Sequence, residues 1–112
     1  MFISKGLTLP CYAVIFSSLS TSDDDAFGTM GASIDELVKN EEGFLSMESV
    51  YNASGESITV CYWRTLADIK RWKEVALHQE AQRLGKQKWF DEYAVRITEI
   101  KESYELNKED GI

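Results

Sequence analysis

The segment Ser57-Ile-Thr-Val-Cys-Tyr-Trp-Arg64 decides the fold, because it predicts a β-strand with two apolar faces. β-Branched and aromatic residues favour strands, and successive side chains point to opposite faces of a sheet. One face then carries Ile58, Val60 and Tyr62, and the other carries Thr59, Cys61 and Trp63. A sheet with one face in water would show polar residues on that face. We therefore expect both faces of this sheet to be covered.

Three further strands are predicted around this segment. Residues 44–51 are joined to it by the turn residues 52–56, which contain a glycine and predict a hairpin. Residues 11–18 are β-branched and aromatic and follow Pro10, which is tolerated where a strand begins. The last strand falls within residues 93–101.

Two helices complete the pattern. The first begins at Ser22, which caps free N–H groups, and at Asp23–Asp25, which suit the positive end of a helix dipole. It ends before Gly43, which fits a left-handed position. The second spans residues 65–84 and is followed by Gly85. Its apolar face is predicted to contain Leu66, Ile69, Trp72, Ala76 and Leu84.

The order β-α-β-β-α-β predicts a ferredoxin-like α+β domain with an antiparallel sheet in the order 4-1-3-2 and both helices on one face. We expect a single domain over residues 1–112, with a core of about 10–104 and a polar tail at 105–112. The helices cover one apolar face of the sheet. A second copy of the chain is the simplest cover for the other, which predicts a homodimer; the alternative is a monomer whose tail folds over the sheet.

The composition excludes several partners. A net charge of −7 argues against nucleic acid and against an anionic membrane surface. No segment approaches the length of about 20 apolar residues that spans a bilayer, so we expect a cytoplasmic protein. Cys11 and Cys61 lie far apart without a CxxC motif, which favours buried free thiols and predicts no metal site.

The chain resembles the antibiotic biosynthesis monooxygenase (ABM) domain family over residues 10–104. The resemblance depends on the order and spacing of four pieces, which are Gly43-Phe-Leu-Ser-Met-Glu-Ser49, Ile58-Thr-Val-Cys-Tyr-Trp-Arg64, Ile69…Trp72…His78…Ala81 and Trp89…Tyr93…Arg96-Ile97. It implies a dimeric α+β barrel with a pocket between sheet and helices in each subunit. Some members oxygenate aromatic polyketides without metal or flavin, and others degrade haem or act on small carbonyl compounds.

This sequence departs from the family in ways that limit the functional inference. Glu42 stands where the family turn often has proline, and Cys61 and Arg64 replace a serine and an acidic residue. In haem-degrading members a histidine ten residues after the helix tryptophan binds iron, and that position here is Gln82. The first strand also lacks the asparagine of those members. Haem degradation is therefore disfavoured, and we expect no cofactor.

His78 is the candidate general base, since it is the only histidine and its ordinary pKa lies near neutrality. Glu74, one helical turn earlier, would orient the ring and raise its basicity. In an unbroken helix over 65–84, however, His78 points away from the apolar face, and only a break near residues 76–77 turns it inward. The alternative is a surface or helix-capping histidine.

Aromatic residues are the candidate walls of a pocket for a planar ligand, namely Tyr12, Tyr62, Trp63 and Trp72. The alternative for each is plain core packing. Arg64 is a candidate for holding a carboxylate or oxyanion of a ligand. The alternative is that it forms an ion pair at the surface or at the dimer rim. The leading function is a cofactor-independent monooxygenase acting on a small aromatic or quinol-type compound. A non-catalytic binding module and an isomerase or dehydratase remain open as alternatives.

Overall fold

The computed structural model describes residues 2–20, 36–83 and 91–106, without the side chains of residues 76–83. The strands are β1 (Cys11–Leu19), β2 (Phe44–Tyr51), β3 (Glu56–Trp63) and β4 (Glu92–Ile100), and the helix α1 spans Leu66–Arg83. Residues 36–39 are also helical and belong to the first predicted helix. The predicted cap at Ser22, the run Asp23–Asp25 and the helix stop at Gly85 lie outside the described residues.

The four strands form one antiparallel sheet in the order β2-β3-β1-β4. This is the predicted order 4-1-3-2 read from the other edge, so the ferredoxin-like α+β fold is confirmed. The β2–β3 hairpin follows from its turn residues. Asn52 Oδ1 accepts hydrogen bonds from the N–H groups of Ser54 and Glu56, each at 3.0 Å, and Gly55 has a φ of 88°.

The register confirms the predicted division of the side chains between two faces. Tyr12 lies opposite Trp63 and Val14 opposite Cys61, whereas Ala13 lies opposite Tyr62 on the other side of the sheet. Trp63 is buried with Val38 and with Ile69 of α1. We call this side of the sheet the inner face and the opposite side the outer face. Leu66, predicted on the apolar face of α1, is instead exposed, because it is the first residue of the helix and lies before its contact with the sheet.

Residues 2–10, which we call the N-terminal strap, contact the outer face. The Ser4 N–H donates to Glu48 Oε2 at 2.7 Å, and the Ser4 and Ser46 hydroxyl oxygens lie 2.6 Å apart. Beyond the opposite edge of the sheet, the Gly6 N–H donates to Glu105 Oε1 at 3.0 Å. The outward-facing residues Cys11 and Ala13 are 0% and 2% exposed. The strap thus covers one end of the outer face, a cover that the sequence did not reveal.

The other end of the outer face is open. Val50 and Ile58, which lie opposite each other in the β2–β3 pair, are 51% and 48% exposed. Burial of each would contribute about 1–2 kcal/mol. The described residues include no helix that is both long and apolar enough to cross a bilayer.

Candidate functional site

Three aromatic rings form a cluster on the inner face, which we call the aromatic cluster. The rings of Trp63 and Trp72 are stacked, with centroids 6.3 Å apart and an interplanar angle of 27°. Phe44 meets the edge of Trp63 at 5.6 Å and 81°. Trp63 is fully buried, whereas Phe44 and Trp72 are half-buried. Such an arrangement offers flat apolar walls on which a planar ring can stack.

A β-bulge places the β2 side chains of this cluster. The pairing of β2 with β3 shifts register between Phe44 and Ser46, so that Phe44 lies opposite Trp63 while Met47 lies opposite Cys61. Without the extra residue, the side chain at 46 would take the inner position that Met47 occupies. Phe44 and Met47 therefore both pack against the inner core, together with Tyr12 and Val14 of β1.

A polar network lies beside the aromatic cluster, at the start of α1. The Thr65 hydroxyl donates to Asp68 Oδ2 at 2.7 Å, and Thr65 Oγ1 accepts from the Asp68 N–H at 3.1 Å. The second bond caps one free N–H group at the helix start, and the first fixes the Asp68 carboxylate against the capping hydroxyl. Arg71 Nη1 donates to Asp68 Oδ1 at 2.9 Å and lies 3.6 Å from Glu42 Oε2.

The charge of Asp68 is stabilised although the residue is only 5% exposed. The hydrogen bond from Thr65 lowers the pKa of Asp68 most strongly, burial opposes it, and Arg71 and Arg64 lower it further. Asp68 is therefore an ionised carboxylate at neutral pH, held among groups from α1, the end of β3 and the turn before β2.

The indole nitrogen of Trp63 is buried and has no hydrogen-bond acceptor among the residues that the structure describes. Buried indole N–H groups usually have a partner, and leaving one without an acceptor costs about 1–3 kcal/mol. This donor lies at the centre of the aromatic cluster.

The inner face continues beyond the aromatic cluster as an apolar surface on β1 and β4, which we call the apolar floor. The rings of Phe16 and Tyr93 are stacked at 5.6 Å and 23°. Val95 and Ile97 follow on the same face of β4, and both are nearly half exposed. Sequence reasoning did not select these residues. The alternation Tyr93, Val95, Ile97 was the available signal, but it does not reveal how much of a face the helices cover.

The predicted aromatic residues do not all lie on one side of the sheet. Tyr12, Trp63 and Trp72 come together on the inner face. Tyr62 lies on the outer face, where its hydroxyl donates to Glu48 Oε1 at 3.0 Å. Burial, together with this hydrogen bond and the negative charge of Glu48, raises the pKa of Tyr62 to about 12.

The predicted polar site residues lie away from the aromatic cluster or outside the described side chains. Arg64 is exposed at the end of β3, 4.0 Å from Glu42, and its N–H donates to the Gly43 carbonyl at 2.8 Å. Glu74 is exposed on α1. His78 lies in α1, and its side chain is not described. The helix runs from Leu66 to Arg83 without the break near residues 76–77 that an inward-pointing His78 would need.

Fold and site together define a ferredoxin-like α+β domain with a cluster of aromatic rings on the helix side of its sheet. The family described as monooxygenase af470-like matches residues 18–110, and this chain belongs to that family. The resemblance to the ABM domain family that was inferred from the sequence is thereby confirmed.

Two relatives and one solved structure illustrate the match. The uncharacterised protein YqjZ of Bacillus subtilis (strain 168) is 38% identical over 99 residues, covering 88% of this chain and 87% of that protein. "Jasmonate monooxygenase ABM" of Pyricularia oryzae is 26% identical over 100 residues, but the aligned region covers 87% of this chain and only 46% of that protein.

The solved structure is that of a mutant of SnoaB, a cofactor-independent oxygenase from Streptomyces nogalater. It superposes with a TM-score of 0.67 at 9% identity and covers 84% of this chain and 96% of that one. At this identity the similarity shows a shared fold.

Proposed function

We propose that this protein is a monooxygenase that oxidises a small aromatic or quinol-type compound without a cofactor. The observation that carries the proposal is the buried indole N–H of Trp63 in the aromatic cluster, which has no acceptor among the residues that the structure describes. Membership of a monooxygenase family supports the general type of reaction. The similarity to a jasmonate monooxygenase and to a cofactor-independent oxygenase is consistent with it.

The substrate ring would stack on Trp72 and Phe44 and extend over the apolar floor. The Trp63 N–H would then donate to the oxygen of the substrate, where negative charge accumulates when a carbon conjugated with that oxygen loses a proton. For a substrate of the anthrone type, the resulting carbanion adds to O2. The peroxide formed then loses water, so that the CH2 group becomes C=O and the second oxygen atom leaves in the water.

The proposed base for the first proton transfer is His78, with Glu74 as its orienting partner. Because α1 has no break near residues 76–77, this role requires that part of the helix to open when the substrate binds. Both residues lie on α1, the helix that also carries Trp72. His78→Ala should then remove most activity, by a factor of about 100 or more for loss of a general base. Full activity in this variant would exclude His78 and leave the deprotonation to another group.

Oxygen consumption tests the function. We expect the purified protein to consume O2 above the blank when it is given anthrone or a quinol. With anthrone, one CH2 group should become a carbonyl for each O2 consumed. Trp63→Phe keeps a flat ring but loses the donor, and should reduce kcat/KM about 10- to 100-fold. Tyr62→Phe is the matched control, since it removes one hydrogen-bonding hydroxyl from an aromatic ring on the outer face.

No uptake of O2 with any anthrone or quinol would refute the proposed reaction. A thermal-shift screen with the same compounds would then show whether the site binds them unchanged, as a non-catalytic module would. Formation of product under nitrogen would instead indicate an isomerase or dehydratase.

We also propose that a second copy of the chain covers the open end of the outer face. The proposal is supported by exposed Val50 and Ile58, since adjacent apolar side chains on a sheet face favour association. Sedimentation equilibrium should give twice the chain mass of 12.7 kDa. Ile58→Lys should give a monomer, whereas a monomeric wild-type protein at high concentration would refute the dimer.

The cytoplasm is the compartment that we propose. Cys11 and Cys61 are not joined to each other by a disulfide, as is usual for cysteines in a reducing compartment. They lie on opposite faces of the sheet. Cys61 lies opposite Val14 on the inner face, whereas Cys11, three residues before Val14 on β1, faces outward. Fractionation of cells that produce the protein would test this location.

A further inference from the structure

The polar network and the aromatic cluster are built from neighbouring residues on the same three elements. Arg71 of the network directly precedes Trp72. Gly43 and Arg64, which directly adjoin Phe44 and Trp63, are joined to each other by a backbone hydrogen bond, and Arg64 lies 4.0 Å from Glu42 of the network. The network and the aromatic cluster are therefore linked through neighbouring backbone.

Asp68 is at the centre of the network. It contacts Thr65 and Arg71 through hydrogen bonds, and a Cβ atom added at Gly43 would overlap its carboxyl group. On α1 it precedes Trp72 by four residues, so the two side chains lie on the same side of the helix. The buried carboxylate thus contacts the turn before β2 and the first turn of α1, and it lies one helical turn from the ring that stacks on Trp63.

We propose that the Asp68 carboxylate is a positioning residue, which holds Trp72 in its stack on Trp63 and thereby shapes the aromatic cluster for its substrate. The charged groups that face it are Arg71 on α1, Arg64 at the end of β3 and, through Arg71, Glu42 in the turn before β2. That the cluster binds a substrate rests on the proposed function; the effect of Asp68 on the stacking does not.

Loss of the negative charge weakens two contacts at once. Arg71 then pairs with Glu42 alone, and Thr65 loses the anionic acceptor for its hydroxyl. The first turn of α1 is released from the turn before β2, and Trp72 moves relative to Trp63. Gly43 lies against Asp68 and directly precedes Phe44, so the packing of Phe44 on Trp63 changes as well.

Circular dichroism tests the stacking without any ligand. Two stacked tryptophans produce an exciton couplet in the far ultraviolet. The Trp72→Phe variant lacks this pair and gives the reference spectrum without the couplet. We expect Asp68→Asn to reduce the couplet about twofold or more while the sheet signal remains, because an amide keeps the shape but loses the charge. In the wild-type protein, acidification should reduce the couplet in the same way.

Kinetics with anthrone then test the effect on the site. Asp68→Asn should raise KM about tenfold with a smaller change in kcat, as expected for loss of binding geometry. Asn52→Ala is the control, since it weakens the β2–β3 turn at the far end of the sheet and should leave both couplet and KM unchanged. If Asp68→Asn does not fold, Arg71→Met replaces it as the test variant. It should reduce the couplet less than the twofold expected for Asp68→Asn.

A folded Asp68→Asn or Arg71→Met variant with the full wild-type couplet would overturn the positioning role. If the couplet falls but no compound turns over in the wild-type protein, the positioning role stands and the proposed function fails. If the wild-type protein is active and Asn52→Ala raises KM as much as Asp68→Asn does, general destabilisation explains the effect and the positioning role is refuted.

Discussion

Gly43→Ala is expected to be strongly destabilising, because Gly43 meets two separate requirements. Its φ is 85°, in the left-handed region where residues with a Cβ atom are strained by about 1–2 kcal/mol. The added Cβ would also overlap the buried carboxyl group of Asp68, which its hydrogen bonds to Thr65 and Arg71 hold in place. Forcing an extra methyl group into a packed site costs about 1–3 kcal/mol more.

Gly6→Ala separates the two effects. Gly6 has a φ of 67°, but its Cβ would meet no atom within 4 Å. This variant should therefore lose only the backbone contribution of about 1 kcal/mol, against a total of about 3 kcal/mol for Gly43→Ala. With a urea m-value of about 1.5 kcal/mol/M, the midpoints should fall by about 0.7 M and about 2 M.

Urea unfolding followed by tryptophan fluorescence and circular dichroism, at one protein concentration for all variants, measures both midpoints. Trp63 reports on the region next to Gly43, and the sheet signal reports on the whole domain. Equal losses in Gly43→Ala and Gly6→Ala would refute the reasoning, because the close approach of Gly43 to Asp68 would then carry no energetic penalty.

Three further outcomes follow from the titrating groups. Because the pKa of folded Asp68 lies below its ordinary value of 3.8, its stabilising effect is present above that value and should be lost as the pH falls below about 4; Asp68→Asn should flatten this part of the stability curve. Because the pKa of Tyr62 is raised to about 12 from 10.0, its contribution to the free energy of unfolding should be lost as the pH rises between these two values. Ultraviolet titration should show one late-ionising tyrosine that is absent in Tyr62→Phe. Burial raises the pKa of the Cys11 thiol, so in a Cys61→Ser background this thiol should react with a disulfide reagent only after unfolding; rapid reaction in the native state would contradict its burial.

Much of the fold was predictable because local patterns specify it. The alternation in residues 57–64, the turn at 52–55 and the glycine at 43 each require a particular backbone conformation from few residues. Their agreement along the chain leaves one sheet order. The family resemblance added the expectation of a pocket between sheet and helices, and Trp63 and Trp72 are stacked on that side of the sheet.

The composition of the site was less predictable. The sequence placed Tyr62 and Trp63 side by side as candidate walls, but adjacent strand residues point to opposite faces, so only one of them lies on the inner face. Asp68 was not selected, since a single aspartate at a helix start is common and its burial depends on Gly43, which is 25 residues away. The N-terminal strap was also missed, because it has no regular pattern and is held by Glu48 and Glu105 from distant parts of the chain.

The sequence by itself determined the order of strands and helices, the two apolar faces of the sheet and the turns, because propensity and periodicity are properties of neighbouring residues. Only the tertiary structure decided which aromatic rings meet and which buried groups have partners. Those facts depend on the register between strands, on the bulge after Phe44 and on the approach of α1 to the turn before β2. Such contacts join residues that are remote along the chain, and no local pattern encodes them.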